Sequence, residues 1–487
     1  MKKRLCLILS LLMAAQFTAC GEAADEVTAD NTTLPEDSTE VSETGIPDDL
    51  PDVDLEGYEF RILGFGDSRF AAIWVEDQNG SIVNDAVYNK CKTVEDRFNC
   101  SIVIAEGSNV GSGSTTTSDE RNTIMRSIMA GEDSFDIASA HDITLANMTL
   151  EGHFINLYDV PYLNLDKPWW PKYTVDSLTF DDQMYMFSNS LSYNNMSDTR
   201  VMFFNKSLLE DLNFELPYQS VYDGSWTLDR LNSMTKGAYA DLNGNNDIDE
   251  EDRFGIVNPS YYYCVLEPFN LEPYQDDGKG NLTYVFDLDK YQTIVEKFYS
   301  LFVGDGGFIA SNGPTARKVF AEGRALFTYD QLGHAVSDYS QTDLIYGILP
   351  MPKLDETQDE YYAGCTDRPC VVPITADPHL DETGLIIEAL SAEGYRQVFP
   401  AYFEQALKVR YADQTDDAKM IDIINQNVIL SFTYMYGNFK SPYNIMLETL
   451  FKAGSESTDV ASYAASIQAA QEARVEQIME AFRDMKK

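Results

Sequence analysis

Between residues 58 and 142, the spacing of apolar residues alternates between that of strands and that of helices. "YEFRILGF" (58–65) is apolar at every second position, as a half-buried strand is, whereas residues 83–100 repeat apolar residues at helical spacing. The region then predicts a strand "SIVIAEG" (101–107), a helix within "ERNTIMRSIMAGE" (120–132) that ends at Gly131, and a strand "FDIASAHD" (135–142). This order predicts a parallel sheet with helices outside, where ligands bind at the carboxyl ends of the strands.

A second series of strands and helices follows from residue 199. Its segments are a strand and helix (199–214), a helix (225–240) that Ser225 or Thr227 would cap, a strand (253–257), a helix (289–302), a helix, glycine turn and strand (316–330), and a strand ending in prolines (345–353). From Asp381 onward the pattern is helical. Together the two series predict an α/β protein with about two or three domains' worth of chain.

The first residues have the pattern of a secretory signal. Lys2, Lys3 and Arg4 precede an apolar run that is short for a membrane span, and small residues follow it. "FTAC" (17–20) resembles a bacterial lipobox, although Leu is more usual where Phe17 stands. We therefore predict a signal peptide over 1–19 and a lipid anchor on Cys20. The alternative is an ordinary signal with a chance cysteine.

Residues 20–56 are acidic, rich in Ser, Thr and Pro, and poor in aromatic residues, which predicts a disordered tether. No later segment has the roughly 20 apolar residues of a membrane-spanning helix. The sequence thus predicts a protein anchored to the cell membrane on its extracytoplasmic face. The formal net charge of −44 disfavours nucleic acid as a partner. The five cysteines after Cys20 are a poor disulfide framework, although Cys365 and Cys370 could pair.

Several stretches match, in order, motifs of one family. They are "VMFFNKSLLEDLNFELP" (201–217), "SWTLDRLNSMTK" (225–236), "VFAEGRALFTYD" (319–330) and "YGILPMPK" (346–353). With the lipobox and tether, they make the chain resemble the extracellular solute-binding lipoproteins of bacterial ABC importers, the type II group that includes maltodextrin-binding proteins. The likeness extends over residues 57–487; no single motif is specific, but their order is.

The resemblance implies a two-lobed type II periplasmic-binding-protein-like fold with a ligand cleft between the lobes. Lobe one would comprise residues 57–190 and 326–380. Lobe two would comprise residues 191–325 and most of the C-terminal helical region, 381–487. The implied function is capture of a carbohydrate for an ABC transporter permease, with an oligosaccharide as the expected ligand and hinge closure around it.

"DLNGNNDIDEED" (241–252) has oxygen-bearing residues at the positions of a calcium loop. The ligands would be Asp241, Asn243, Asn245, the carbonyl of Asp247, Asp249 and Asp252. Two positions depart from the pattern, because the sixth is Asn246 rather than Gly and the twelfth is Asp rather than Glu. A lone loop within lobe two suggests a structural calcium ion rather than a sensor or a dockerin-like module. A solvated turn is the alternative.

Sugar clefts combine aromatic faces with carboxylates and amides. Asp142 ends the strand "FDIASAHD", and in the maltodextrin-binding relatives the matching Asp binds a sugar hydroxyl; the alternative is a cap of the next helix. The other predicted ligand residues are Trp74, Trp169, Trp170, Asn189, Tyr193, Tyr262, Tyr329 and Arg368. Trp74 would alternatively cover the core, and one of the paired tryptophans is expected to be buried.

The sequence does not favour an enzyme. The four histidines lack metal-ligand spacing, and neither a G-x-S-x-G elbow nor a Walker loop occurs. With 79 acidic residues, chance carboxylate pairs are expected, so their abundance does not indicate a glycosidase. Binding without chemistry is therefore the prediction. A surface glycoside-acting enzyme, a binding protein for a non-sugar solute and a surface adhesin are the alternatives.

Overall fold

The computed structural model describes residues 45–110, 116–258, 266–304, 306–366, 368–407, 415–437, 442–446, 449–450 and 458–486. The predicted signal peptide, Cys20, most of the tether and Tyr262 lie outside these residues. Ile46–Lys487 forms one unit by its internal contacts. Among the helices that the structure describes, none combines the length and apolar character needed to cross a membrane.

The described strands are β1 (Tyr58–Gly64), β2 (Cys100–Ile104), β3 (Ile137–Ser139), β4 (Arg200–Asn205), β5 (Phe254–Asn258), β6 (Tyr274–Asp276), β7 (Leu282–Tyr284), β8 (Gly307–Ile309), β9 (Ala325–Gln331), β10 (Tyr346–Leu349), β11 (Ala363–Gly364), β12 (Cys370–Val371) and β13 (Val428–Ile429).

The described helices are α1 (Asp67–Phe70), α2 (Ile82–Phe98), α3 (Thr117–Ala130), α4 (Asp142–Thr149), α5 (Lys172–Leu178), α6 (Asn194–Ser197), α7 (Lys206–Asp211), α8 (Tyr218–Tyr222), α9 (Leu228–Thr235), α10 (Leu288–Tyr299), α11 (Gly313–Ala321), α12 (His334–Ser337), α13 (Leu380–Glu393), α14 (Phe399–Leu407), α15 (Thr415–Gln426), α16 (Phe432–Tyr436) and α17 (Val460–Met485).

The first sheet has the strand order β12-β3-β1-β2. β1 pairs in parallel with β2 and β3, as the sequence predicts, and β12 joins β3 antiparallel. The predicted apolar face of α2 is buried: Cys91, Val94 and Phe98 pack in the core of the first sheet, and Val87 packs with Val398 and Ala401. α3 begins at the Thr116 cap, which accepts from the Asp119 N–H, and ends at a left-handed glycine, Gly131.

The second sheet has the order β10-β4-β9-β5-β8. β4 alternates its buried side chains between the two faces, with Met202 and Phe204 in one core and Val201 and Phe203 in the other. Because β5 and β8 are parallel to β9, while β4 runs antiparallel to it, the carboxyl ends of β5 and β9 meet the start of β4 at one edge. That edge carries the polar residues described below.

The predicted lobe boundaries need two corrections. β9 and β10 belong to the second sheet, so the predicted return to lobe one at residue 326 is wrong; the chain rejoins the first sheet at β12. The C-terminal region is divided between the cores rather than belonging mostly to lobe two. α13 and the end of α17 pack on the core of the first sheet, whereas α15 packs on those of the second.

Candidate functional site

The carboxyl edges of the two sheets carry charged residues that contact one another. Arg69, in the short helix α1 after β1, forms an ion pair with Asp198, just before β4; the Nη1–Oδ2 distance is 2.7 Å. The side chain of Arg69 is 39% exposed, whereas that of Asp198 is 8% exposed. The Arg69 carbonyl also accepts from the amide of Asn194 (2.8 Å), which is in α6. α1 is therefore bonded both to α6, in the segment that crosses between the sheets, and to the edge of the second sheet.

Four further residues gather at the carboxyl edge of the first sheet. Arg368, which precedes β12, donates from Nη1 to Glu120 Oε1 at 2.6 Å, and Glu120 also accepts from the His141 backbone N–H at 2.9 Å. His141 Nδ1 lies 2.9 Å from Asp142 Oδ1. Asp142 is covered, with 3% of its side chain exposed, whereas His141 is 37% exposed. A ligand would therefore meet His141 first, and Asp142 would act by orienting and charging that ring.

The second sheet contributes Gln331 and Arg200 at the same edge. Gln331, which ends β9, donates from Nε2 to Asp198 Oδ1 at 2.9 Å. Arg200 begins β4 opposite Gln331 and is buried. We call Arg69, Glu120, His141, Asp142, Asp198, Gln331 and Arg368 the cleft cluster.

Charge and burial oppose each other within the cleft cluster. Burial raises the pKa of Asp198, although the positive charges of Arg69, Arg200 and Arg368 act in the other direction. Burial alone would lower the pKa of His141, but the hydrogen bond and the charge of Asp142 outweigh it and raise that pKa. Because Arg368 acts on both groups, the two halves of the cluster are electrostatically coupled. Such a mixed set of donors and acceptors suits a ligand rich in hydroxyl groups.

The paired tryptophans lie in the core of lobe one. Trp169 and Trp170 are 0% and 2% exposed, and their indole N–H groups donate to Oε1 and Oε2 of Glu388, each at 2.8 Å. The prediction that one ring faces the cleft is wrong, because both rings fill the space under α13 and satisfy one buried carboxylate. Burial raises the pKa of Glu388, and the two indole hydrogen bonds counteract that shift.

The remaining predicted residues occupy different places. Trp74 is half-buried on the core of lobe one, and its indole donates to the Ile102 carbonyl (3.1 Å), as the alternative of a core cover requires. Asn189 is buried and donates to the Ser391 hydroxyl (2.8 Å). Tyr329 is buried on β9, where its hydroxyl accepts from Asn258 (2.8 Å). Asn189 and Tyr329 therefore belong to the interior of the protein, contrary to prediction.

Tyr193 lies near enough to the cleft cluster for the charge of Asp198 to act on its hydroxyl. Its ring stacks on Tyr402, with ring centroids 5.0 Å apart, and lines a small cavity beside the loop after β1. Cys365 and Cys370 are both buried and form no disulfide with each other, so the pairing that the sequence allowed is not made. Cys370 is in the first sheet, whereas the Cys365 thiol points to the Asn195 carbonyl.

The loop 241–252 is folded as a series of side-chain-bonded turns. Asp241 accepts from the N–H groups of Gly244 (2.6 Å) and Asn246 (3.0 Å), and Asn246 has the left-handed φ of 63° that the sixth position of a calcium loop needs. The amides of Asn243 and Asn245 donate to Asp249. No group of three His, Cys, Asp or Glu side chains suited to a metal ion occurs among the described residues. An ion here would therefore depend on the two asparagine oxygens.

Several residues of the cleft cluster were missed from the sequence. Arg69 lies in α1, five residues before Trp74, and only the aromatic residue of this stretch was predicted to face the cleft. Glu120 begins a helix, and Asp198 precedes a strand, where acidic residues are ordinary. Position was a usable signal for Arg69 and Gln331, which stand at or just after the carboxyl ends of strands. Asp198 precedes its strand and reaches the end of β9 only through the pairing of β4 with β9.

Solved structures share this two-lobed arrangement. UspC of M. tuberculosis matches with a TM-score of 0.53 and 13% identity, over 85% of this chain and 100% of that one. The chain has the fold of two-lobed solute-binding proteins. The GacH receptor of Streptomyces glaucescens has a TM-score of 0.50 and 13% identity, over 88% of this chain and 98% of that one. A cyclo/maltodextrin-binding protein in complex with maltotetraose has a TM-score of 0.50 and 12% identity, over 89% and 98%.

No protein-family model matches the chain, and no curated protein matches it in sequence. At 12–13% identity, the likeness to these solute-binding structures establishes the fold and leaves the ligand to be argued from the site.

Proposed function

We propose that this protein captures a carbohydrate outside the cytoplasm and delivers it to an ABC transporter permease. The observation that carries the proposal is the cleft cluster, in which the carboxyl edges of two sheets are joined by the Arg69–Asp198 ion pair. A ligand bound at this place would touch both lobes and favour their closure. The same fold binds acarbose in the GacH receptor and maltotetraose in the cyclo/maltodextrin-binding protein.

The chemistry of the cleft cluster favours a neutral polyhydroxylated ligand. Arg69 and Arg368 present planar sets of donors, and the carboxylates beside them are acceptors, so the two types together match sugar hydroxyls. A small anion would be repelled by the net charge of −44 before it reached the site. No reaction is proposed; consumption of the sugar during binding would indicate a glycoside-acting enzyme instead.

A thermal-shift screen tests the proposal. The mature chain is heated with mono- and oligosaccharides, and with amino acids and peptides as a second set. A carbohydrate present at a hundred times its Kd should stabilise the protein by about 2.7 kcal/mol. Stabilisation only by amino acids or peptides would show that the ligand is not a carbohydrate. Stabilisation by neither set would favour an adhesin or structural lipoprotein.

The first twenty residues bear on where in the cell the protein binds its ligand. We infer a lipid anchor on Cys20 that holds the folded part at the extracytoplasmic face of the membrane, beyond the acidic tether. Cys20→Ala should release the protein from the cell into the medium, measured by fractionation and immunoblotting. A variant that stays in the membrane fraction would contradict the anchor.

We also propose that the loop 241–252 holds a structural calcium ion. Asp241, Asn243, Asn245, the Asp247 carbonyl and Asp249 would supply the ligands, once the two asparagine amides turn their oxygens inward. Asp252 fits least well. It is buried, and its carboxylate already accepts from the Leu242 and Asp249 N–H groups and the Tyr239 hydroxyl.

Removing calcium should destabilise the protein. With calcium initially at a hundred times its Kd, excess chelator should lower the free energy of unfolding by about 2.7 kcal/mol. Asp241→Ala should abolish that response. Asp277→Ala is the matched control, because Asp277 is an exposed turn aspartate that also accepts N–H bonds, from Lys279 and Asn281. If chelator does not change the melting temperature, residues 241–252 form a turn without a bound calcium ion.

A further inference from the structure

The helix that carries Arg69 is too short to hold its own position. α1 has four residues, and the bonds from the Phe70 N–H to the Gly66 carbonyl and from the Ala72 N–H to the Arg69 carbonyl are both 3.4 Å long. A single helical turn loses the backbone entropy of nucleation without the further bonds that offset it in a longer helix. The place of the Arg69 side chain therefore depends on contacts that other parts of the chain make with α1.

Lys90 makes one of these contacts from α2. Its Nζ donates to the carbonyl of Ile73, in the turn after α1, at 2.8 Å, and to the carbonyl of Leu191 at 2.7 Å. Leu191 belongs to residues 188–199, which we call the crossing segment because they join the first sheet to β4. A single amino group therefore bonds the turn after α1 to the crossing segment.

The crossing segment also contacts α1 directly, at Arg69. Asn194 donates to the Arg69 carbonyl at 2.8 Å, and Asp198 pairs with the Arg69 guanidinium at 2.7 Å. Lys90, Asn194 and Asp198 thus connect α1 and the turn after it to the crossing segment at three points. Loss of the Lys90 contact would leave the other two points in place, so we expect α1 to loosen rather than to detach.

Stability does not explain a lysine at position 90. Lys90 is 0% exposed, and burial lowers its pKa; the titratable groups that act on its charge are the Cys91 and Cys370 thiols rather than a carboxylate. Removing an amino group from water costs free energy, and an apolar side chain of similar length would avoid that cost. What the lysine adds is a pair of hydrogen bonds to the carbonyls of two separate segments.

We propose that Lys90 is a positioning residue of the sugar site. It fixes the turn after α1 to the crossing segment, and through α1 it holds the Arg69 guanidinium beside Asp198, where a sugar hydroxyl reaches it. Lys90 itself is covered and does not touch the sugar. The inference rests on the proposed carbohydrate-binding function and adds the residue that sets the geometry of Arg69.

Hydrogen exchange of the free protein tests the contact without a ligand. Lys90→Met removes both donors and keeps an unbranched side chain in the interior. Exchange should become about threefold to tenfold faster in peptides that cover residues 66–74 and 191–198, because two hydrogen bonds that restrain them are lost. Peptides from β2 and α3 should keep their wild-type rates.

Lys353→Met is the matched control for Lys90→Met. Lys353 is 4% exposed and is the other buried lysine among the described residues. Its amino group lies over the ring of Tyr361, in the second core, 5.3 Å from the ring centroid. Its replacement also removes a buried amino group, but it should leave exchange at residues 66–74 unchanged.

A double-mutant cycle measured by calorimetry tests whether Lys90 acts through Arg69. The probe is the mono- or oligosaccharide that gives the largest thermal shift with the wild type. Lys90→Met should raise its Kd about threefold to tenfold in the wild-type background and should not raise it further in the Arg69→Ala background. Lys353→Met should leave the Kd unchanged in both backgrounds.

The outcomes separate this inference from the proposed function. Unchanged exchange at residues 66–74, faster exchange throughout the first sheet, or equal losses of affinity in both backgrounds would each overturn the positioning role. If no carbohydrate binds the wild type, the proposed function fails, and the exchange experiment still decides whether Lys90 fixes α1. If Lys90→Met does not fold, Lys90→Gln replaces it with the same expected results, because its side chain is one bond shorter and lengthens at least one of the two hydrogen bonds.

Discussion

Trp169→Ala is expected to lower the free energy of unfolding by about 3–5 kcal/mol, the usual cost of removing a fully buried tryptophan. The ring is 0% exposed, so the substitution leaves a cavity in the core of lobe one. It also removes the donor to Glu388 Oε1 and leaves a buried carboxylate with one indole partner, Trp170. For a protein of ordinary stability, this loss is a large fraction of the total free energy of unfolding.

Denaturant unfolding of Trp169→Ala measures this effect, with Trp74→Ala as the control. Trp74 also donates its indole N–H, to the Ile102 carbonyl, but it is only half-buried, so its loss should cost clearly less. Sugar affinity below the Tm should be unchanged in Trp169→Ala. A loss of affinity with little loss of stability would restore Trp169 as a ligand platform and contradict its place in the core.

Arg69→Ala is expected to weaken sugar binding by about 1.5–3 kcal/mol, which is the range for a hydrogen bond with a charged group. That is a roughly tenfold to hundredfold rise in Kd. Stability should fall by about 1 kcal/mol at most, because partly exposed ion pairs contribute little. Arg69 is the most exposed charged member of the cleft cluster, so a ligand can reach it directly.

Arg97→Ala is the matched control for Arg69→Ala. Arg97 pairs with Asp48 at the same 2.7 Å, with side chains 33% and 8% exposed against 39% and 8% for Arg69 and Asp198. Each variant leaves its aspartate with another donor, Arg396 for Asp48 and Gln331 for Asp198. The two variants should therefore lose similar stability, and only Arg69→Ala should lose affinity. Equal affinities in both variants would remove Arg69 from the binding site.

The alternation of strands and helices was sufficient to predict the first sheet. α2 buries the residues that its spacing selected, and α3 ends at the glycine that the sequence marked. The boundary of the lobes was not predictable in the same way, because β9 pairs with β4 and β5 through contacts distant in sequence. The pattern of apolar residues indicates that β9 is a strand, but it does not determine which sheet the strand joins.

Aromatic residues were the weaker guide to the site. Trp169 and Trp170 satisfy the composition of a sugar cleft, yet their N–H groups are bonded to a buried glutamate far along the chain. Asp142 was predicted from its match to the family's strand-end Asp, and Arg368 from following a predicted strand; the structure brings both into the cleft cluster. Position in the topology therefore predicted the charged residues of the site better than residue type predicted its aromatic residues. Large aromatic rings pack equally well in a core, so their presence does not by itself indicate a ligand site.

A structure of the complex tests the central claim most directly. The wild-type protein would be crystallised with the carbohydrate that gives the largest thermal shift. The account predicts a sugar held between the lobes, with hydroxyl groups within hydrogen-bond distance of Arg69, His141 or Arg368 on one side and of Asp198 or Gln331 on the other. A sugar bound elsewhere, for example in the cavity of about 430 Å³ lined by Phe154, Tyr185 and Met485, would contradict it.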